Sequence, residues 1–148
     1  KGVRRSRKAR LTPFDSEEIP GISMAQYAAR LAKYTHATDA THHAAMMYIG
    51  RFVEGSSTKV TNRNFHRLYL TAFVVASKYL EDEVYSLRHY AKVGGIQASE
   101  LAVLENMFLK ACKFHLSFTA EDLQQMMGEE VPQASPAAKA SLGASPTC

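Results

Sequence analysis

Residues 61–81 read TNRNFHRLYLTAFVVASKYLE, and the rest of the chain arranges itself around them. Phe65, Leu68, Tyr69, Ala72, Ala76, Tyr79 and Leu80 recur at steps of three and four, the spacing of one helical face. Leu70, Phe73 and Val74 make the opposite face apolar as well. A helix that is apolar nearly all round is a buried one, so this stretch predicts a central helix wrapped by others. Lys78 places a charge near its end. Burying an unpartnered ammonium costs on the order of several kcal/mol. Lys78 must therefore reach water, pair with a carboxylate of the chain, or meet one from elsewhere.

Outward from this centre the punctuation is helical throughout. Thr61 or Asn62 is the expected cap of the central helix, and the acidic run Glu81-Asp82-Glu83 ends it. Before it, Ser23 opens a first helix with Met24, Tyr27, Ala28, Leu31 and Tyr34 as its apolar stripe. Thr38 or Asp39 caps a second helix over about 40–54, stopped by Gly55-Ser56-Ser57, with Ala44, Ala45, Met47, Tyr48, Ile49 and Phe52 inward. After the centre, Ser86 begins a short helix that Gly94-Gly95 stops. A fifth helix runs over about 98–113 with Leu101, Leu104, Phe108, Ala111 and Cys112 on one side. Thr119, with Asp122 three residues on, caps a last short helix to about Met127. No strand pattern competes and no internal repeat appears. The expected fold is all-α, five main helices packed around the third.

The formal charge is +4, but six positive residues, Lys1, Arg4, Arg5, Arg7, Lys8 and Arg10, lie at the N-terminus. Without them 12 basic residues face 14 acidic ones, a net of −2. The basic character belongs to an arm rather than to a face of the fold, so nucleic acid is not the expected partner. Such an arm serves as a nuclear import signal, as a weak phosphate patch, or simply as a solvated segment. No run of about eighteen apolar residues predicts a transmembrane helix, and no apolar run follows the basic residues as in a signal peptide. Cys112 in an apolar stretch and Cys148 at the terminus make no disulfide framework. A reducing compartment, cytoplasmic or nuclear, is expected.

Catalytic and metal chemistry find little to work with. His42 and His43 are adjacent, so on a helix they point about 100° apart, and with His36 they lack the Cys or carboxylate partners of a zinc spacing. No nucleophile elbow, phosphate loop or dinucleotide fingerprint is present. Met46-Met47 and Met126-Met127 read as core filler. No enzyme, metal or cofactor is expected.

Three stretches together resemble a cyclin box. They are Tyr48-Ile49-Gly50-Arg51-Phe52, close to the family's Tyr-Ile-Asp-Arg-Phe; Ala76-Ser77-Lys78-Tyr79; and Leu104-Glu105 with Phe108-Leu109 and Phe114-His115-Leu116. Ile19-Pro20-Gly21-Ile22 and the stretch from His89 to Ile96, HYAKVGGI, look like the P/U-type cyclins, the group containing the fungal phosphate-starvation cyclins. The resemblance covers about residues 14–127. Charge, punctuation and composition set a basic, irregular arm at 1–18 and an Ala/Ser/Pro-rich tail at 128–148, expected to be disordered, on either side of a cyclin box at 19–127.

The resemblance implies a regulatory subunit that binds a cyclin-dependent kinase and holds the kinase's mobile αC helix inward, with no obligate homo-oligomer and no membrane partner. It implies that Lys78 and Glu105 bridge helices three and five and hydrogen-bond kinase backbone, and that Leu109, Phe114 and Leu116 cover the αC helix. Asp82 would face an arginine of the kinase. The plain alternatives are an internal ion pair, core packing and a solvated turn. Two departures matter: Gly50 replaces the family's Asp, and Ser23-Met24-Ala25-Gln26-Tyr27 replaces the Met-Arg-Ala-Ile-Leu docking motif of cell-cycle cyclins. One box is expected rather than two. The rival readings are a nucleic-acid-binding transcription factor on the same fold and a scaffold that binds a kinase without activating it.

Overall fold

The structure, a computed structural model, describes residues 12–130. Among them the order is α1 (Met24–Thr35), α2 (Asp39–Ser56), α3 (Phe65–Leu80), α4 (Leu87–Gly94), α5 (Ala98–Ala111) and α6 (Ala120–Glu130), with no strand. Of these, residues 12–116 form one compact unit, and α6 belongs to a second. The basic residues of the expected arm and most of the expected tail lie outside the described residues.

The core is α3. Every residue from 68 to 77 is buried, as its all-round apolar pattern requires. Helix α2 packs along it, and α1, α4 and α5 close the remaining sides. Phe52 of α2 and Phe108 of α5 stack with ring centroids 5.1 Å apart. Phe14 sits against Phe52 at 4.9 Å and is 2% exposed. The packed body thus begins before residue 19, inside the segment expected to be an irregular arm, because Phe14 has apolar surface to bury.

The caps explain most boundaries. Ser23 and Gln26 form a reciprocal capping box at α1. Ser86 accepts from the His89 amide at α4. Thr119 and Asp122 exchange side-chain and backbone bonds of 2.9 and 3.1 Å at the start of α6.

At α3 the expectation is corrected. Thr61 and Asn62 do not cap it; residues 62–64 form a turn and the helix starts at Phe65. Buried Asn64 accepts from the Thr61 amide at 2.8 Å and donates to the Lys59 carbonyl at 2.8 Å. A short amide side chain that bonds nearby backbone offers the chain an alternative to helix, and here it wins.

Helix α2 ends inside the expected Gly55-Ser56-Ser57 stop, with Ser56 as its last residue and Ser57 in the left-handed conformation. A Cβ on Gly55 would lie 2.0 Å from the Ala111 carbonyl oxygen, so glycine is there to let α2 touch the end of α5. Tyr34 and Tyr79, expected on buried stripes, are half exposed, and the Lys33 ammonium lies 5.4 Å from the Tyr34 ring centre.

Candidate functional site

Lys78 occupies the last turn of α3, where a cation complements the helix dipole. Glu105 stands in the middle of α5, which packs on α3. The Lys78 Nζ donates to Glu105 Oε1 at 2.7 Å, within the range of a charge-assisted bond. The lysine side chain is 44% exposed and the glutamate 15%. Of the three choices open to Lys78, the fold takes two: an internal carboxylate and contact with water. An ammonium carries three N–H donors and Glu105 takes one of them. The pair is therefore both pre-positioned and able to bond a further acceptor.

Leu109 lies one turn beyond Glu105 and is half-buried. After Ala111 the chain turns sharply. Lys113 and Phe114 both have positive φ, 53° and 56°. A left-handed conformation costs a non-glycine residue about 1–2 kcal/mol, so two in succession need support. The Phe114 amide donates to the Leu109 carbonyl at 2.9 Å, and the His115 amide to that of Cys112 at 3.0 Å. The Arg51 Nη1 donates to the His115 carbonyl at 2.8 Å, and the Tyr48 hydroxyl to that of Leu116 at 2.7 Å. Burial pushes the Tyr48 hydroxyl well above its ordinary pKa, so it stays protonated and keeps donating. The result is an outward Phe114, 64% exposed, above a half-buried Leu116.

Exposure on that scale rules out core packing for Phe114. A large aromatic is thus held outward by a segment fixed through four bonds to backbone carbonyls.

Asp82 stands exposed in the bend beyond α3, and no described residue engages it. Its neighbour Glu81 is used differently. The Glu81 carboxylate accepts from the Thr38 amide at 2.8 Å and from the Thr41 hydroxyl at 2.6 Å, capping α2 from the end of α3. Burial raises the pKa of Glu81, but the bonds from Thr41 and Thr38 outweigh it and hold the carboxyl below its ordinary value. An acid at the C-terminus of one helix is thus explained by the N-terminus of another.

The roles of Tyr48 and Arg51 were not legible from periodicity, because the inward face of α2 already accounts for Tyr48 and a single arginine carries no spacing signal. Gly55 carried a signal, a small residue on a packed helix, but no spacing rule names its partner.

A family model described as Cyclin matches residues 3–116. The chain belongs to the cyclin family. Among its relatives, Cyclin-U2-1 of Arabidopsis thaliana is 36% identical over 107 residues, covering 70% of this chain and 48% of that protein. The PHO85 cyclin-like protein psl1 of Schizosaccharomyces pombe is 35% identical over 113 residues, covering 75% and 46%. PHO85 cyclin-7 of Saccharomyces cerevisiae is 34% identical over 130 residues, covering 78% and 46%. The chain spans about half the length of these relatives. Their U-type and PHO85 names agree with the P/U-type reading of the sequence, and the all-helical body agrees with a cyclin box. In this cyclin the Tyr-Ile-Gly-Arg-Phe motif does visible structural work, since Tyr48 and Arg51 pin the segment that presents Phe114.

Proposed function

We propose that this cyclin is a non-catalytic regulatory subunit that binds and activates a cyclin-dependent kinase. The observation that carries the proposal is the Lys78–Glu105 pair, closed at 2.7 Å and still open to solvent, together with an exposed Phe114 just past the end of α5. Lys78 and Glu105 would hydrogen-bond kinase backbone, while Leu109, Phe114 and Leu116 cover the kinase's αC helix. Because this surface fits the inward arrangement of that helix better than the outward one, binding shifts the kinase population toward the active state. The inward helix brings its glutamate to the lysine that orients the ATP phosphates. The cyclin adds no reacting group.

Two of the relatives are named as PHO85 cyclins, and a kinase of that kind is the first partner to assay. Mixed with it, the chain should raise substrate phosphorylation. Phe114→Ala, Lys78→Ala and Glu105→Ala should each weaken association about tenfold or more, as truncation of a central interface residue does. A folded chain that neither binds nor activates such kinases overturns the reading. Asp82 is assigned to a kinase arginine. Unchanged activation by Asp82→Ala rejects that contact alone.

A further inference from the structure

Arg67 lies eleven residues before Lys78 on α3, which is about three turns, about 20° of rotation and about 16 Å along the axis. Its Nη1 stands 3.6 Å from Glu100 Oε2, and its Nη2 donates to the Pro13 carbonyl at 3.0 Å. Glu100 and Glu105 are about 140° apart around α5. The two bridges between α3 and α5 therefore reach α5 on different flanks, and a protein gripping Lys78 and Glu105 leaves the Arg67 side open.

The Arg67–Glu100 bridge is the shared wall of two recesses. One, of about 400 Å³, is mainly apolar and is lined by Pro13, Val103 and Leu104. Val103 is half exposed there. The other, of about 520 Å³, is lined by Arg88 and Lys92 of α4 and by the turn that leads into α5. Arg88 and Lys92 are both exposed, and no described residue pairs with either. They stand at i and i+4 on a helix of eight residues, a spacing at which like charges repel. The Gln97 side chain does not cap α5, so the first amides of α5 add positive potential beside the same recess. Arg67, Arg88 and Lys92 against Glu100 leave a local charge of +2.

That charge complements a phosphate dianion, whereas a single carboxylate would leave half of it unanswered. Guanidinium groups grip phosphate oxygens in pairs. A free phosphate would leave the apolar recess empty. The geometry points to a docking groove for a phosphorylated peptide segment of a partner protein. Its phosphoryl group lies among Arg67, Arg88 and Lys92, and an apolar side chain a few residues away fills the recess beside Val103 and Leu104. The groove works independently of the kinase reading, since it uses neither Lys78 nor Phe114.

Fluorescence anisotropy of the full chain tests this with two matched pools of labelled peptides. One is centred on phosphoserine, the other on serine, each with randomised apolar neighbours. The phosphorylated pool should bind at least about tenfold more tightly, a difference near 1.4 kcal/mol, and more weakly as salt rises. Arg88→Glu with Lys92→Glu should abolish that preference, and Val103→Asp should weaken binding of the phosphorylated pool. Lys78→Ala should leave it unchanged. Circular dichroism checks that the variants fold, as changes at exposed positions should. Equal binding of both pools overturns the proposal, and so does a preference that survives the double charge reversal. Amide NMR shifts at residues 88–100 with inorganic phosphate alone, and no peptide preference, would show an anion site without peptide docking and overturn it as well.

Discussion

Helix α5 is tied to α3 at its first turn and at its middle by the same device, and the two ties serve unlike surroundings. Near its start, Arg67 and Glu100 meet at 3.6 Å, with the arginine only 19% exposed and anchored to the Pro13 carbonyl as well. Further along, Lys78 and Glu105 meet at 2.7 Å, with the lysine 44% exposed. The first bridge separates two recesses; the second borders a protruding surface. What differs is the third element. At the Arg67 end, α4 brings Arg88 and Lys92, two cations that no described residue pairs with. At the Lys78 end, α2 brings Tyr48 and Arg51, which bind backbone and force Phe114 outward. A similar ion pair therefore marks a groove in one place and a contact shelf in the other, according to the helix beside it.

The comparison breaks most sharply at Gly55. A side chain there meets the Ala111 backbone, which cannot swing away as a flexible side chain could. Gly55→Ala should cost about 3 kcal/mol, at the upper end of overpacking penalties. The damage should be confined to the Phe114 end. Urea unfolding gives the loss of stability, and amide shifts should concentrate at residues 108–116 and spare those around Arg67. A loss below about 1 kcal/mol would mean that α2 and α5 do not need this contact.

Tyr48→Phe is the next step down. It deletes the hydroxyl that donates to the Leu116 carbonyl and keeps the buried ring. The expected cost is about 1–2 kcal/mol for an orphaned acceptor. The same variant should weaken association with the proposed kinase by loosening the exit of α5, although Tyr48 itself is fully buried. Wild-type affinity in a destabilised Tyr48→Phe chain would show that Phe114 does not need its anchor.

Gly50→Ala should act in the opposite direction. Gly50 is exposed within α2, and nothing lies within 4 Å of where its Cβ would be. Replacing glycine there should raise stability by about 1 kcal/mol, measured by the same urea titration. It stiffens the helix that carries Tyr48 and Arg51, so it should leave the groove on the Arg67 side unaffected.

These cases show what the sequence made legible. Residues 68–77 could be read as buried because α3 is apolar on every side, a property of one element alone. Lys78 and Glu105 could be paired because the family resemblance supplied the register between two helices, which periodicity cannot. Asn64 misled because its amide competes with the helix that its neighbours favour. Tyr34 and Tyr79 misled because a stripe predicts a face but not how far the neighbouring helices extend to cover it. Gly55 and Glu81 stayed hidden for a common reason. Each answers to a residue far along the chain, Ala111 and Thr38, and no local rule reaches across that distance.

The smallest effect asks whether the two bridges are independent. Exposed ion pairs contribute about 0–1 kcal/mol, so Lys78→Met should change stability little even where it damages partner binding. Arg67→Met should cost more, because that side chain is better buried and loses a bond to the Pro13 carbonyl as well. About 16 Å of α3 separates the two positions, beyond the range at which substitutions usually couple. The double variant should therefore equal the sum of the singles within about 0.5 kcal/mol. A larger departure would mean that α5 rocks as a lever over α3, so that closing one bridge strains the other. The groove and the shelf would then communicate, and occupancy of the groove by a phosphorylated peptide would alter affinity at the Lys78 end. Additivity places the two surfaces on a rigid crossing, where each can be filled without the other sensing it.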